Sequence, residues 1–275
     1  MALDLMPVST EAPRCSEFAR SIEVLPPGTG LFLERVVLVS VPLPWPKPAL
    51  NHEMLAPLAP LLKASSVVTR LFAMEPINDA IVVEVYERSG TTTLARTWQL
   101  AQSADVVPLI QAIADTGCGG LDSISVPGID AGVSPSPVPP TFLVCTQGSH
   151  DTCCGTSGVA LADEIAAGRG DYVVRRVSHT GGHRFSPTFL SLPTGRMWAF
   201  ANMALVDRVA HGQPTAHDFA NHARGWWGAK VGAAQVAECA VRAERPDLAH
   251  LPAHLEAVPG DDPAAAASAL FSGLA

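Results

Sequence analysis

At 275 residues, 48% hydrophobic and only 16% charged, the chain has globular composition and length enough for two domains of roughly 100–150 residues. A net charge of −8 gives no electrostatic reason to bind nucleic acid or an anionic membrane surface. No run of about 18 apolar residues is available to span a bilayer, and the start MALDLMPVSTEAPRCSE lacks a basic stretch leading into an apolar one, so a cytoplasmic address is expected.

In chain order, Glu34–Val41 is an apolar, β-branched run stopped by Pro42, Pro44, Pro46 and Pro48, and reads as a strand. A helix is expected over Glu53–Lys63, weakened by Pro57 and Pro60. Thr69–Met74 and Ala80–Arg88 read as strands, the second turning at Ser89-Gly90 into Thr92–Trp98. Val106–Asp115 closes this half as a helix ended by Gly117. Ser123–Pro140 holds five prolines, at 127, 135, 137, 139 and 140, and reads as a linker or surface strap.

The order then repeats. Thr141–Cys145 is a strand, Val159–Ala167 a helix ended by Gly168, and Tyr172–Val177 and Thr188–Leu192 are strands. Pro193-Thr194-Gly195 turns the chain into the strand Met197–Asn202. Thr215, with Asp218 three residues on, marks a capped helix start running toward Arg224. A last helix is expected over Val231–Arg242, followed by a low-complexity, peripheral tail. The order β-α-β-β-β-α, found twice, predicts an α/β protein of two thioredoxin-like domains. The boundaries are 1–122, a Pro-rich linker over 123–140, a second domain over 141–245, and a tail over 246–275.

In a reducing compartment the six cysteines (Cys15, Cys118, Cys145, Cys153, Cys154 and Cys239) read as thiols or metal ligands rather than a disulfide framework. No CxxC occurs, which weighs against thioredoxin-type dithiol exchange. Cys145 ends a strand, and Cys153-Cys154 lies in the loop before the next helix. His179 and His183 flank Gly181-Gly182 in SHTGGHRF, and adjacent glycines argue against a helix there. Sites gather in loops at strand ends, so two thiols and two imidazoles can converge at one edge of the second half.

Two centres suit such a donor set. Structural zinc takes four tetrahedral ligands, usually with a C-x₂₋₄-C pair, whereas eight residues separate Cys145 from Cys154. A [2Fe–2S] cluster spans two irons, tolerates wider spacing, and accepts two histidines on one iron. The residues alone leave both open, along with a site that binds no metal.

FLVCTQGSHDTCCG followed by SHTGGHRFSPTFLSLPTGRMW resembles the sucrase/ferredoxin-like family. CSEFAR, RVVLVSVPLPWP and ARGWWGAKVGAAQVAE extend the resemblance to about Arg242. It implies that the second domain is a thioredoxin-like ferredoxin; the first, lacking cysteine and histidine at the matching positions, reads as a degenerate copy. It further implies a [2Fe–2S] cluster on two cysteines and two histidines, serving one-electron transfer. On this chain those ligands are Cys145, Cys154, His179 and His183, with Cys153 an extra loop thiol. Replacing two thiolates by neutral imidazoles raises the potential, and the second ring nitrogen links it to pH. The alternatives are a structural zinc module for interactions, and a thiol oxidoreductase using Cys153 and Cys154. A redox protein of unidentified kind is the expected partner.

Other residues have plainer readings. Arg184 either supports a reduced centre or docks a partner, or is simply solvated. Ser186-Pro187 is expected trans at a strand entrance. His150 and Asp151 flank the cysteine loop as candidate supporting residues. His250 and His254 sit in the tail, and His217 and His222, five apart, point to different faces of a helix. Trp198, Trp226 and Trp227 read as packing residues. In the first half Val39–Val41 and Met74-Glu75-Pro76 stand where the second half has its ligands. No Gly-x-Ser-x-Gly, P-loop or carboxylate pair is present, so nothing supports sucrase chemistry.

Overall fold

The run Arg35–Ser40 (β1) is buried along its whole length, as a strand covered on both faces must be. The computed structural model describes residues 14–246 apart from 91, 135, 136 and 169, so His250, His254 and the expected tail beyond 246 lie outside the described residues. The other strands are β2 (Thr69–Met74), β3 (Ile81–Ser89), β4 (Thr92–Leu100), β5 (Thr141–Cys145), β6 (Val173–Val177), β7 (Phe189–Leu192), β8 (Arg196–Trp198) and β9 (Ala223–Trp226). The helices are α1 (Cys15–Ser21), α2 (Leu58–Ala64), α3 (Val106–Asp115), α4 (Val159–Ala167), α5 (Met203–Ala210), α6 (Ala216–Asn221) and α7 (Gly232–Glu244).

All nine strands form one sheet, in the order β4-β3-β1-β2-β6-β5-β7-β8-β9. Within it the first half runs β4-β3-β1-β2 and the second β8-β7-β5-β6, the same arrangement read from opposite edges. β1 with β2, and β5 with β6, are the parallel pairs. The halves join where β2 meets β6 antiparallel at Met74 and Val177. The Ser178 amide donating to the Ala73 carbonyl (2.8 Å) and the Glu75 amide donating to the Arg176 carbonyl (3.0 Å) extend that seam.

Strand alternation sorts the core into layers. Val36 and Leu38 of β1 share one cluster with Leu143 of β5, Val177, Trp226, Trp227 and the alanines of α7. Their neighbours Val37 and Val39 face α2 and α3 through Leu58, Leu109 and Ile113. Phe142 and Val144 face α4, α5 and α6 through Leu161, Leu205 and Phe219. Each half thus has a core under its own helices and shares another on the opposite face. The tryptophans are packing residues, as read from the sequence. Two buried ion pairs join Arg35 to Glu87 and Arg196 to Glu238.

Several elements depart from expectation. The helix read over Glu53–Lys63 starts only at Leu58, past Pro57, which lacks the amide a helix interior needs. The strand expected over Met197–Asn202 stops at Trp198, and at Phe200 φ is 49°, which breaks the extended run. The Thr215 and Asp218 capping box forms, but α6 stops at Asn221 and Ala223–Trp226 pairs with β8 as a ninth strand. The helices α1 and α5 carried no sequence reading. The linker stretch 123–140 bridges to Thr97 through Val133 and packs Ile124, Val126 and Ile129 against the core under α2 and α3.

Candidate metal centre

Strand β5 ends in Cys145, fully buried, at the carboxyl edge of the second half. The chain loops through Gln147 to Asp151 and re-enters helix at Cys153, with a wide turn over Cys154–Gly158 leading into α4. A methyl group at Gly158 would collide with the Cys145 carbonyl, so glycine is what lets this helix start sit against the strand end. Cys153 and Cys154 are both buried.

The second loop leaves β6 at Val177. Gly181 and Gly182 have φ of 81° and 72°, the left-handed region that glycine enters without strain, and reverse the chain between the two histidines. His183–Phe185 then forms a short turn ahead of the Ser186-Pro187 bond, which is cis rather than trans.

Cross-bonds fix the two loops to each other. The Gln147 side-chain oxygen accepts from the His179 amide at 3.0 Å. Its nitrogen donates to the Pro46 carbonyl at 2.6 Å, and Ser149 donates to the Trp45 carbonyl at 2.7 Å. The proline-rich segment of the first half therefore carries the cysteine loop. Beneath the histidine loop, Arg224 donates to Gly181 O (3.0 Å), Thr29 O (2.6 Å) and Thr29 Oγ1 (3.2 Å). Burial pulls its guanidinium down to about 10, against the favourable charge of Cys145.

Of the four predicted ligands, Cys145, Cys154 and His179 come together, with one donor atom from each lying within 4.8 Å of the others. Cys145 Sγ stands 3.8 Å from His179 Nδ1. The two cysteines share a hydrogen bond that holds the Cys145 thiol well below its ordinary range, with His179 helping and burial opposing. The same contact, with burial, pushes the Cys154 thiol up.

His183 stands apart from that trio. Its ring centroid is 6.1 Å from that of His179, and its Nδ1 lies 2.9 Å from Asp151 Oδ2. His150 stacks on His179 at 3.6 Å, 12° from parallel, and burial lowers its proton affinity. Asp151 also accepts from the Cys153 amide at 2.8 Å. Burial works against its charge, yet that bond and the Cys153 and His183 side chains hold its carboxyl below the usual range.

A second group of donors was not anticipated. Cys15, the first residue of α1, places its sulfur 3.5 Å from Cys153 Sγ, 3.4 Å from His183 Nδ1 and 3.5 Å from Asp151 Oδ2. Burial, then Cys153 and Asp151, push its thiol up to about 12. Only the CSEFAR resemblance pointed toward this residue. Arg224 and Gln147 gave no signal either, since both act through backbone contacts made by the fold. Arg184 is exposed and lies over the Phe185 ring, 4.9 Å from its centroid. His217 and His222 do not point apart, because His222 lies past the end of α6 and their rings come within 5.6 Å.

Sulfur and imidazole donors gathered at a strand end give this mixed α/β protein a site able to hold a metal ion. The family model for sucrase/ferredoxin-like proteins matches residues 26–239, and the chain belongs to that family. No curated protein and no solved structure matches it significantly. No helix among the described residues is long and apolar enough to cross a membrane.

Proposed function

We propose that the site binds a [2Fe–2S] cluster through Cys145, Cys154, His179 and His183, and that the protein is a one-electron carrier whose second half is a thioredoxin-like ferredoxin domain. The carrying observation is the split of the four side chains. Three donors crowd within 4.8 Å, while His183, its ring centroid 6.1 Å from that of His179, is not in that group. Four ligands of one tetrahedral ion would all be near neighbours, whereas a two-iron centre divides them, two thiolates on one iron and two imidazoles on the other. The donors fit the group chemically, being two thiols and two imidazoles with no buried amine among them.

When bound, such a cluster supplies a one-electron couple at a potential above that of all-cysteine centres. The chain's own residues prepare the place for it. Asp151 holds Nδ1 of His183, which fixes the ring and leaves Nε2 as its other nitrogen. With its side chain 45% exposed, His183 can exchange protons and electrons with what lies outside. Arg224 sets a buried positive charge beside Cys145, which favours the electron-rich form of the site. The net charge of −8 suits a basic redox protein as partner, and the free thiols suit a reducing, cytoplasmic setting.

A zinc reading has one observation in its favour: Cys145, Cys154 and His179 form a three-ligand set without His183. Optical and electron paramagnetic resonance spectra of anaerobically prepared protein, with metal analysis, separate the two. Two irons per chain, a red-brown colour and a signal on one-electron reduction support the cluster. Colourless protein with one zinc per chain overturns it.

A further inference from the structure

The four-ligand reading leaves Cys15 and Cys153 without a task, yet the fold brings their sulfurs to 3.5 Å across 138 residues of sequence. The approach is built into the packing. Arg14 donates to Thr156 Oγ1 at 3.0 Å, and the Arg20 guanidinium lies over the Phe200 ring, 4.8 Å from its centroid. The helix α1 packs on the His183–Phe185 turn. Nearby polar groups are otherwise engaged: Asp151 holds the Cys153 amide through Oδ1 and His183 through Oδ2. Cys15 Sγ also lies 3.4 Å from His183 Nδ1 and 3.5 Å from Asp151 Oδ2, and Cys153 Sγ is the sulfur within its reach.

We propose that Cys15 and Cys153 are a second redox site, a dithiol that closes to a reversible disulfide and pins α1 across the loop carrying Cys154. A disulfide needs its sulfurs at about 2.05 Å, within reach of side-chain rotation from the observed separation. The oxidant is a low-molecular-weight disulfide. Cys15, the partly exposed member, attacks it through the minor fraction present as thiolate, so the exchange is slow; the S–S bond breaks, a mixed disulfide forms and one small thiol leaves. Cys153 then attacks the Cys15 sulfur, forming the protein disulfide and releasing the second thiol. The protein loses two hydrogens and the small disulfide gains them. This site works in two-electron steps and does not depend on which metal the neighbouring centre holds.

The test uses the full-length, metal-loaded protein incubated with oxidised glutathione, quenched with N-ethylmaleimide and digested with trypsin and an aspartate-directed protease. Expected is a peptide pair joining Cys15-Ser-Glu-Phe-Ala-Arg20 to the fragment beginning at Asp151, two hydrogens lighter than its separate parts and split by dithiothreitol. Cys15→Ser and Cys153→Ser should each abolish the pair while keeping metal content and visible absorption at the wild-type level. The proposal is overturned if both thiols remain alkylatable in the wild type, or if the pair survives in Cys153→Ser, which would assign the bond to Cys154. Loss of bound metal in Cys15→Ser also overturns it, because Cys15 would then be a ligand. Alkylation of Cys15 before and after oxidation, in wild type alone, gives the same answer should a variant fold poorly.

Discussion

Substituting Gly182 by Ala tests how the histidine loop is held. The residue sits at φ 72° and ψ 39°, where a side chain costs about 1–2 kcal/mol. An added Cβ would also lie 2.7 Å from Arg224 Cζ, against at least 3.4 Å for ordinary contact, so the two must part by about 0.7 Å. Arg224 is the far end of a flexible side chain, but its bonds to Thr29 and Gly181 and its burial leave it little room. Overpacking of this kind costs about 1–3 kcal/mol. Together they predict a loss of about 3 kcal/mol, or a Tm lower by roughly 6–12 °C in a chain of this size. The assay is urea and thermal unfolding of Gly182→Ala, Arg224→Met and the double variant. Relief of the clash predicts a coupling of at least about 1 kcal/mol in that cycle, with the backbone strain left over. If Gly182→Ala is as stable as wild type, or the two changes simply add, the guanidinium is not the brace described above.

Three further outcomes follow from the same geometry. Cys145→Ser and Cys154→Ser should each abolish metal binding, and Cys153→Ser should retain it, as read by metal analysis and visible absorption; the reverse pattern for the last two would move the ligand to Cys153. Asp151→Asn removes the acceptor of His183 and should weaken metal retention against a chelator by about 10–100-fold, while unchanged retention would refute the positioning role. Asp218 is opposed by burial but held below the usual carboxylate range by Arg208 (2.6 and 2.7 Å) and Thr215. With a depressed folded pKa, its contribution is present above the unfolded value of about 3.9 and is lost as pH falls through the folded one. Asp218→Asn should cost about 1–3 kcal/mol at neutral pH and flatten the acid limb of the stability profile; an unaltered acid limb would count against it.

The strand ending at Cys145 was legible because Thr141–Cys145 is a short apolar run beside a turn, and the paired glycines of SHTGGHRF excluded a helix between the histidines. Cys15 was not, because α1 is only seven residues long and its meeting with Cys153 bridges 138 positions. The ninth strand escaped notice because Ala-Arg-Gly-Trp lacks β-branched residues and owes its extension to pairing with β8. Nor does any local pattern state that β2 and β6 will pair; that contact depends on how two finished edges present themselves. Asp218 was readable as a capping residue, but its ion pair with Arg208 depended on how α5 and α6 pack.

The seam between β2 and β6 has a consequence for any attempt to divide the molecule. Ser178, whose amide and hydroxyl both bond to Ala73, immediately precedes His179. A fragment beginning at residue 141 would release that anchor and leave β6 with bare amides and carbonyls, an open template for self-association. The first half is therefore a splint: it anchors the residue before His179 and covers the β6 edge.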